Sequence, residues 1–433
     1  MTDRGLDPSD LDEAARRRQI VRAVVASAVG TSIEWYDFFL YGVAASLVFP
    51  RLFFPQSDPY VGQLASFATF FVGFVARPMG AAIFGHYGDR LGRKASLIAT
   101  LLLMGVATAG IGLVPDYSRI GIFGAVLLTV GRLLQGIAVG GEWAGSVLLA
   151  AEWGDKRRRG FIASWPQFGA PAGMVLANGA QRLMTAVSGD AFMTWGWRVP
   201  FLLSIVLVGI GLYIRVGVLE TPVFAKLKEE GRVQKAPVLV VVGRHSREIV
   251  LTALLRTGQQ VPFYIFTTFV LTYGTQTLGL GRDTVLSYVL IMSALSMVAI
   301  PFWGHVSDRV GRRLVTAIGC WAMVVWPFVY FGLLDSLSLP LIFVGILLSQ
   351  SIHDIQYGPQ AAVIAEAFPG PVRYSGASLG YQLASITAGG PAPIAALWLL
   401  NRYQSSTAIA VYISASALVS LVALWLLPDH SHD

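Results

Sequence analysis

Along this chain apolar residues run in stretches of about 20 or more, broken by short polar turns, and about twelve of them are long enough to cross a hydrocarbon core of about 30 Å as helices. They fall at 20–49, 62–84, 95–114, 119–151, 161–186, 196–219, 247–273, 284–306, 314–334, 339–367, 374–401 and 406–427. One connection is long: "LETPVFAKLKEEGRVQKAP", within 220–246, is charged and proline-bounded. It reads as a cytoplasmic linker between an N-terminal six-helix half, 1–219, and a C-terminal six-helix half, 247–433. The expected fold class is an all-α integral membrane protein of two pseudo-symmetric six-helix halves.

Composition agrees with a membrane solvent. Of 433 residues 55% are hydrophobic and only 13% charged, a balance soluble domains rarely show. The single cysteine, Cys320, excludes an internal disulfide framework and a cysteine-built zinc site. The opening "MTDRGLDPSDLDEAARRRQ" lacks the basic, apolar, small-residue order of a secretory signal, so the first helix is expected to be retained. With the N-terminus inside, the cytoplasmic segments hold 23 Lys and Arg and the opposite side 6, while Arg77, Arg132 and Arg256 lie within spans. That asymmetry places both termini in the cytoplasm of a multi-pass plasma-membrane protein. It also accounts for the net charge of +7 without nucleic acid.

The two halves repeat. "GHYGDRLGRK" (85–94) returns as "GHVSDRVGRR" (304–313), and "AEWGDKRRRGFIAS" (151–164) is echoed by "AEAFPGPVRYSGAS" (365–378). The offsets, 219 and 214, are nearly equal, which indicates duplication, the usual construction of secondary transporters.

The G-x-x-x-D-R-x-G-R-[RK] pattern at Gly85, Asp89, Arg90, Gly92, Arg93 and Lys94, repeated after the eighth span, resembles the signature loop of the major facilitator superfamily. "GTSIEWYDFFLYG", "GRLLQGIAVGGEWAG" and "EAFPGPVRYSGASLGYQLASITAGG" are similar to its metabolite:proton symporter family, whose members carry shikimate, oxoglutarate, citrate, proline or betaine. The resemblance covers nearly the whole chain. It implies alternating access, a cavity lined by helices one, four, seven and ten, and a gate at the repeated loop. There Asp89 and Asp308 are placed to accept backbone N–H groups at a helix start. Arg93 and Arg312 are placed to clamp Glu152 and Glu366, with Arg90 and Arg309 alongside.

Nearly all the deep charges lie on those four helices. Glu34 and Asp37 stand in an otherwise apolar and aromatic run, where an ionised acid costs about 2.5–3.5 kcal/mol at a helix centre, so the pair persists only if it works or is paired. They are about 60° apart on one face, which Tyr41 continues. Helix four carries Arg132, Gln135 and Glu142 within one arc; helix seven offers Arg256, Gln260 and Tyr264; helix ten offers His353, Asp354 and Tyr357.

Asp37 and Arg132 resemble the aspartate and arginine that proton-coupled sugar carriers of the superfamily use as a coupling pair. The coupling acid is sought among Asp37, Glu34 and Glu142, with Asp37 first. Arg132, Arg256 and His353 suit an anionic substrate, because a guanidinium fork matches a carboxylate. Tyr41, Tyr264 and Tyr357 suit an amphipathic wall, though aromatics in spans more often pack. No second histidine stands at ligand spacing from His353, which argues against a metal.

"GASLG" (376–380) matches a nucleophile elbow by letter but opens a small-residue membrane helix, so no enzyme is expected. The expected function is a monomeric, cofactor-free symporter that imports a small organic acid by alternating access on the proton gradient. A zwitterion carrier of the proline or betaine kind is the alternative, and a solute receptor without transport is a more distant one.

Overall fold

The computed structural model describes residues 12–230 and 237–428. Among them twelve long helical runs and no strands occur. The first six are α1 (Glu13–Leu47), α2 (Pro59–Leu91), α3 (Arg93–Leu113), α4 (Phe123–Trp153), α5 (Arg159–Ser188) and α6 (Arg198–Val216). Two short helices in the linker region, Pro222–Glu229 and Pro237–Arg244, precede α7 (Ser246–Tyr264). Then follow α8 (Arg282–Val310), α9 (Arg312–Asp335), α10 (Leu339–Glu366), α11 (Gly370–Tyr403) and α12 (Ser406–Leu426).

Nine of these runs, among the described residues, are long and apolar enough by length and composition to cross a membrane. The other three are α1, α5 and α7. Each holds polar side chains that the protein itself buries, such as Asp37, Gln167 and Arg256, and these lower its hydropathy without exposing polarity to lipid. Exposed Val, Leu, Ile and Phe on α3, α4, α6, α8, α9 and α12 instead present the apolar faces a bilayer requires.

Contacts divide the chain into two units, Met1–Trp153 with Gly169–Lys235, and Gly154–Phe168 with Ala236–Asp433. In the first, α4 packs on α1, α2 and α3, and α6 on α1 and α3. In the second, α10 packs on α8 and α9, and α12 on α7 and α9. Most of these pairings recur six helices later, which is the duplication expressed as packing. Small residues set the α2–α4 approach: a Cβ at Gly136 or Gly140 would collide with the backbone carbonyl of Gly73 or Arg77.

The repeated signature segments are not open loops. α2 runs through "GHYGDRL" and α8 through "GHVSDRV", and each is broken at one glycine before the next helix begins. Gly92 has φ +115° and Gly311 φ +112°, a region that side-chain-bearing residues rarely adopt. α7 continues into π-helical turns at Ile265–Phe269 and Tyr273–Thr277, and α11 contains another at Ser385–Gly389. Such turns recur at functional positions in helices.

Candidate functional site

In the first unit, Asp37 is fully buried on α1. Its Oδ1 accepts from the Ser204 hydroxyl of α6 at 2.5 Å, and its Oδ2 has no hydrogen-bond donor. Arg132 of α4 turns toward other groups. Its Nε donates to the Phe70 carbonyl (3.3 Å), its Nη1 to Gln135 Oε1 (3.1 Å), and its guanidinium lies over the rings of Phe38, Tyr41 and Phe70 at 4.5–4.8 Å. Gln135 Nε2 in turn donates to Thr108 Oγ1 at 2.7 Å, and Thr108 borders the Asp37 carboxylate. The acid and the arginine expected as a pair are thus joined through Gln135 and Thr108. Tyr41 serves this ring cage, and its hydroxyl donates to Thr69 at 2.8 Å.

Glu142, expected on the same arc as Arg132, belongs to a different cluster. Its Oε1 accepts from Arg215 Nη2 and from Ser146 Oγ (2.9 Å), and its Oε2 from Thr100 Oγ1 (2.8 Å). Arg215, one of the charges counted toward the cytoplasmic side, is buried in the last turn of α6 as the ion-pair partner of Glu142. Glu34 borders the same cavity as Glu142 and Thr100, and its Oε2 has no donor.

In the second unit, Arg256 of α7 directs Nε and Nη2 at the Gln260 side-chain oxygen at 2.8 and 2.5 Å, and lies over the Tyr381 ring. Tyr264 stands one turn after Gln260, its ring edge-on to Phe263. His353 and Asp354 of α10 satisfy one another: His353 Nδ1 lies 3.0 Å from Asp354 Oδ1, and Asp354 Oδ2 accepts from Ser296 at 2.6 Å. The second ring nitrogen of His353 lies 3.2 Å from the Gln259 carbonyl, and its ring packs against Tyr357. His353 is a buried hydrogen-bonded histidine; no metal-holding group of His, Cys, Asp and Glu occurs among the described residues.

The repeated helix junctions carry two ionic clusters, one per unit. At α2–α3, Arg93 lies 3.4 Å from both Asp89 and Glu152. At α8–α9, Arg312 pairs with Asp308 at 3.2 Å and with Glu366, which also meets Arg159 at 3.5 Å. Asp308 accepts the N–H groups of Gly160 and Phe161, both at 2.8 Å, at the start of α5, where the helix dipole favours a carboxylate. Arg90 and Arg309 stand exposed, and Arg90 approaches His86 at 3.4 Å.

A partner invisible in the pattern is Glu220. Its carboxylate accepts the N–H groups of Arg93 (3.1 Å) and Lys94 (3.2 Å), capping α3, while Thr221 donates to Glu152 at 2.5 Å. Burial raises the Glu220 carboxyl above its ordinary value, against the opposing effect of those hydrogen bonds.

Residues 23–236 and again 224–432 match the profile of the family described as "Sugar (and other) transporter". The chain belongs to this family. The chain is 43% identical over 419 residues, 95% of each protein, to the inner membrane metabolite transport protein YhjE of Escherichia coli. It is 40% identical to the shikimate transporter of Escherichia coli, covering 94% of both. It is 35% identical to the proline/betaine transporter of that organism, covering 93% of this chain and 82% of the relative. Among solved structures, the proton:xylose symporter XylE of the major facilitator superfamily superposes with TM-score 0.77 at 19% identity, covering 96% and 97% of the two chains. As a sugar (and other) transporter the chain thus has the major facilitator fold, and its twofold match to one profile is the duplication read earlier from the loops.

Proposed function

We propose that this transporter is a proton-coupled symporter that imports a small organic acid by alternating access. The observation that carries the reading is Asp37: a wholly buried carboxyl with one oxygen held by Ser204 and the other without a donor, linked through Thr108 and Gln135 to Arg132. A buried acid beside a movable arginine changes its proton affinity with their separation, so proton uptake follows conformation. Within the second unit Arg256 supplies a guanidinium fork for a carboxylate, with Gln260, Tyr264 and Tyr357 in the same unit; within the first unit Arg132 offers another. The identity with a shikimate transporter supports an acid as cargo. The ionic clusters of Asp89, Arg93 and Glu152 and of Asp308, Arg312 and Glu366 act as gating latches.

The protein functions as a monomer in the cell membrane with both termini cytoplasmic, and draws on the proton gradient without a cofactor. The likeness to a proline/betaine transporter favours one second reading, a zwitterion carrier using the same charges. Radiolabel uptake into proteoliposomes over a panel of organic acids and betaines, with and without a proton ionophore, separates the two. Ionophore-sensitive uptake of acids supports the first reading. Betaine uptake alone supports the second, and ionophore-insensitive uptake removes proton coupling.

A further inference from the structure

The geometry points to a second proton site inside the first unit, apart from Asp37: Glu34 and Glu142 share one proton, with Arg215 as their counter-ion and Glu34 as the carboxyl that bears it. Both carboxyls border one small cavity, walled also by Gly30, Thr100, Leu101 and Met104. Their surroundings differ in a way that decides where the proton sits. Glu142 receives three donors, from Arg215, Ser146 and Thr100, which together satisfy an ionised carboxylate. Glu34 is 6% exposed, and its Oε2 has no donor. A buried carboxylate without donors is costly, whereas the neutral acid asks far less of its surroundings.

The remaining charges reinforce this allocation. Those facing Glu34 are Glu142 from α4, Arg77 from α2, Arg215 from α6 and Asp37 from its own helix. The Arg215 guanidinium is committed to Glu142, and its Nη1 donates to the Leu97 carbonyl at 2.6 Å. Arg77 lies over the rings of Phe38 and Phe74 at 4.8 and 4.6 Å. Asp37 stands three residues along α1 and adds negative potential. Two carboxyls on one buried cavity, with Arg215 committed to Glu142 and Arg77 turned to aromatic rings, retain a proton because each negative charge disfavours the other. Gly30, one turn before Glu34, makes the arrangement possible, because a Cβ there would collide with the Arg215 guanidinium. The resident proton keeps Arg215 bound to Glu142 and out of competition for Asp37 or for an anionic substrate.

This inference concerns the protein's own protons and stands apart from the transport reading, so its test needs no substrate. The full chain is purified into lipid nanodiscs, and infrared spectra are recorded at neutral pH in water and heavy water, scaled to protein, to quantify the deuteration-sensitive band of neutral carboxyl groups. Glu34→Gln, isosteric with the neutral acid, is expected to remove one carboxyl's share of the band with little change in melting temperature. Arg215→Gln is expected to add one share, because Glu142 then loses its ion-pair partner and takes up a proton of its own. Glu142→Gln is expected to remove one, because Arg215 is freed to ionise Glu34. An unchanged band in Glu34→Gln overturns the proposal. So does an Arg215→Gln protein that folds without gaining a carboxyl, and if that variant does not fold, Glu34→Gln decides alone.

Discussion

The Ser204 hydroxyl donates to Asp37 Oδ1 at 2.5 Å, tying α6 to α1 across 167 residues of chain. Thr108 also bonds this carboxyl while Oδ2 meets no donor, so the side chain is held in place with one oxygen unsatisfied. A group fixed in position yet incompletely satisfied suits reversible protonation, and the first prediction follows from it.

Asp37→Asn imitates a permanently protonated acid. Accumulation driven by a pH gradient in proteoliposomes should therefore stop, while counterflow of preloaded substrate survives, since that half-cycle needs no proton release. Glu34→Gln should be milder in both assays. Uphill uptake retained by Asp37→Asn would transfer coupling to another acid, and equal loss in both assays would make Asp37 a binding or folding residue.

Arg256→Ala removes the guanidinium aimed at Gln260. Binding of the organic acid should weaken by at least about 1.5–3 kcal/mol, the scale of a hydrogen bond to a charged group, in a calorimetric titration of folded, detergent-stable protein. An unaltered affinity would place Arg256 outside the binding surface.

Asp89→Asn removes one of the carboxylates around Arg93 and leaves its contact with Glu152. Transport should slow by about tenfold, equivalent to about 1.4 kcal/mol in the barrier, with the order of preferred substrates unchanged. A changed preference at normal rate would make the α2–α3 junction part of the binding site instead of a latch.

Glu220 gives a pH-dependent stability. Its carboxyl is raised in the folded state by burial, so the folded protein holds that proton more tightly than the unfolded chain does. The contribution is therefore present at low pH and lost as pH rises through the interval above the ordinary glutamate value of 4.5. Glu220→Gln should remove this part of the slope in melting temperature against pH. A slope equal to the wild type's would show that other groups set it.

Much of this was legible in the sequence, and for identifiable reasons. Hydropathy located twelve helices because a bilayer imposes one length on every crossing. The repeated acid–base order pointed to the Arg93–Glu152 and Arg312–Glu366 contacts, because duplicated spacing preserves which side chains meet. Arg215 was not legible: at the end of a span followed by a charged linker, it has the position of a topogenic charge. Its partner Glu142 lies 73 residues earlier, and helical periodicity gives a residue's face without naming what packs there. Glu220 was hidden in the same way, as one acid in a charged segment, although its acceptors cap a helix 127 residues upstream.

The capping of α5 by Asp308 also bears on how this chain can be divided. By sequence the start of α5 lies in the N-terminal repeat, yet Gly154–Phe168 group with the second unit, and the Gly160 and Phe161 N–H groups are satisfied there. A gene cut at the linker would separate those donors from their acceptor. Two fragments synthesised separately would each emerge unfinished, one with a bare helix start and one with an aspartate left to Arg312 alone, and would regain these hydrogen bonds only when produced together.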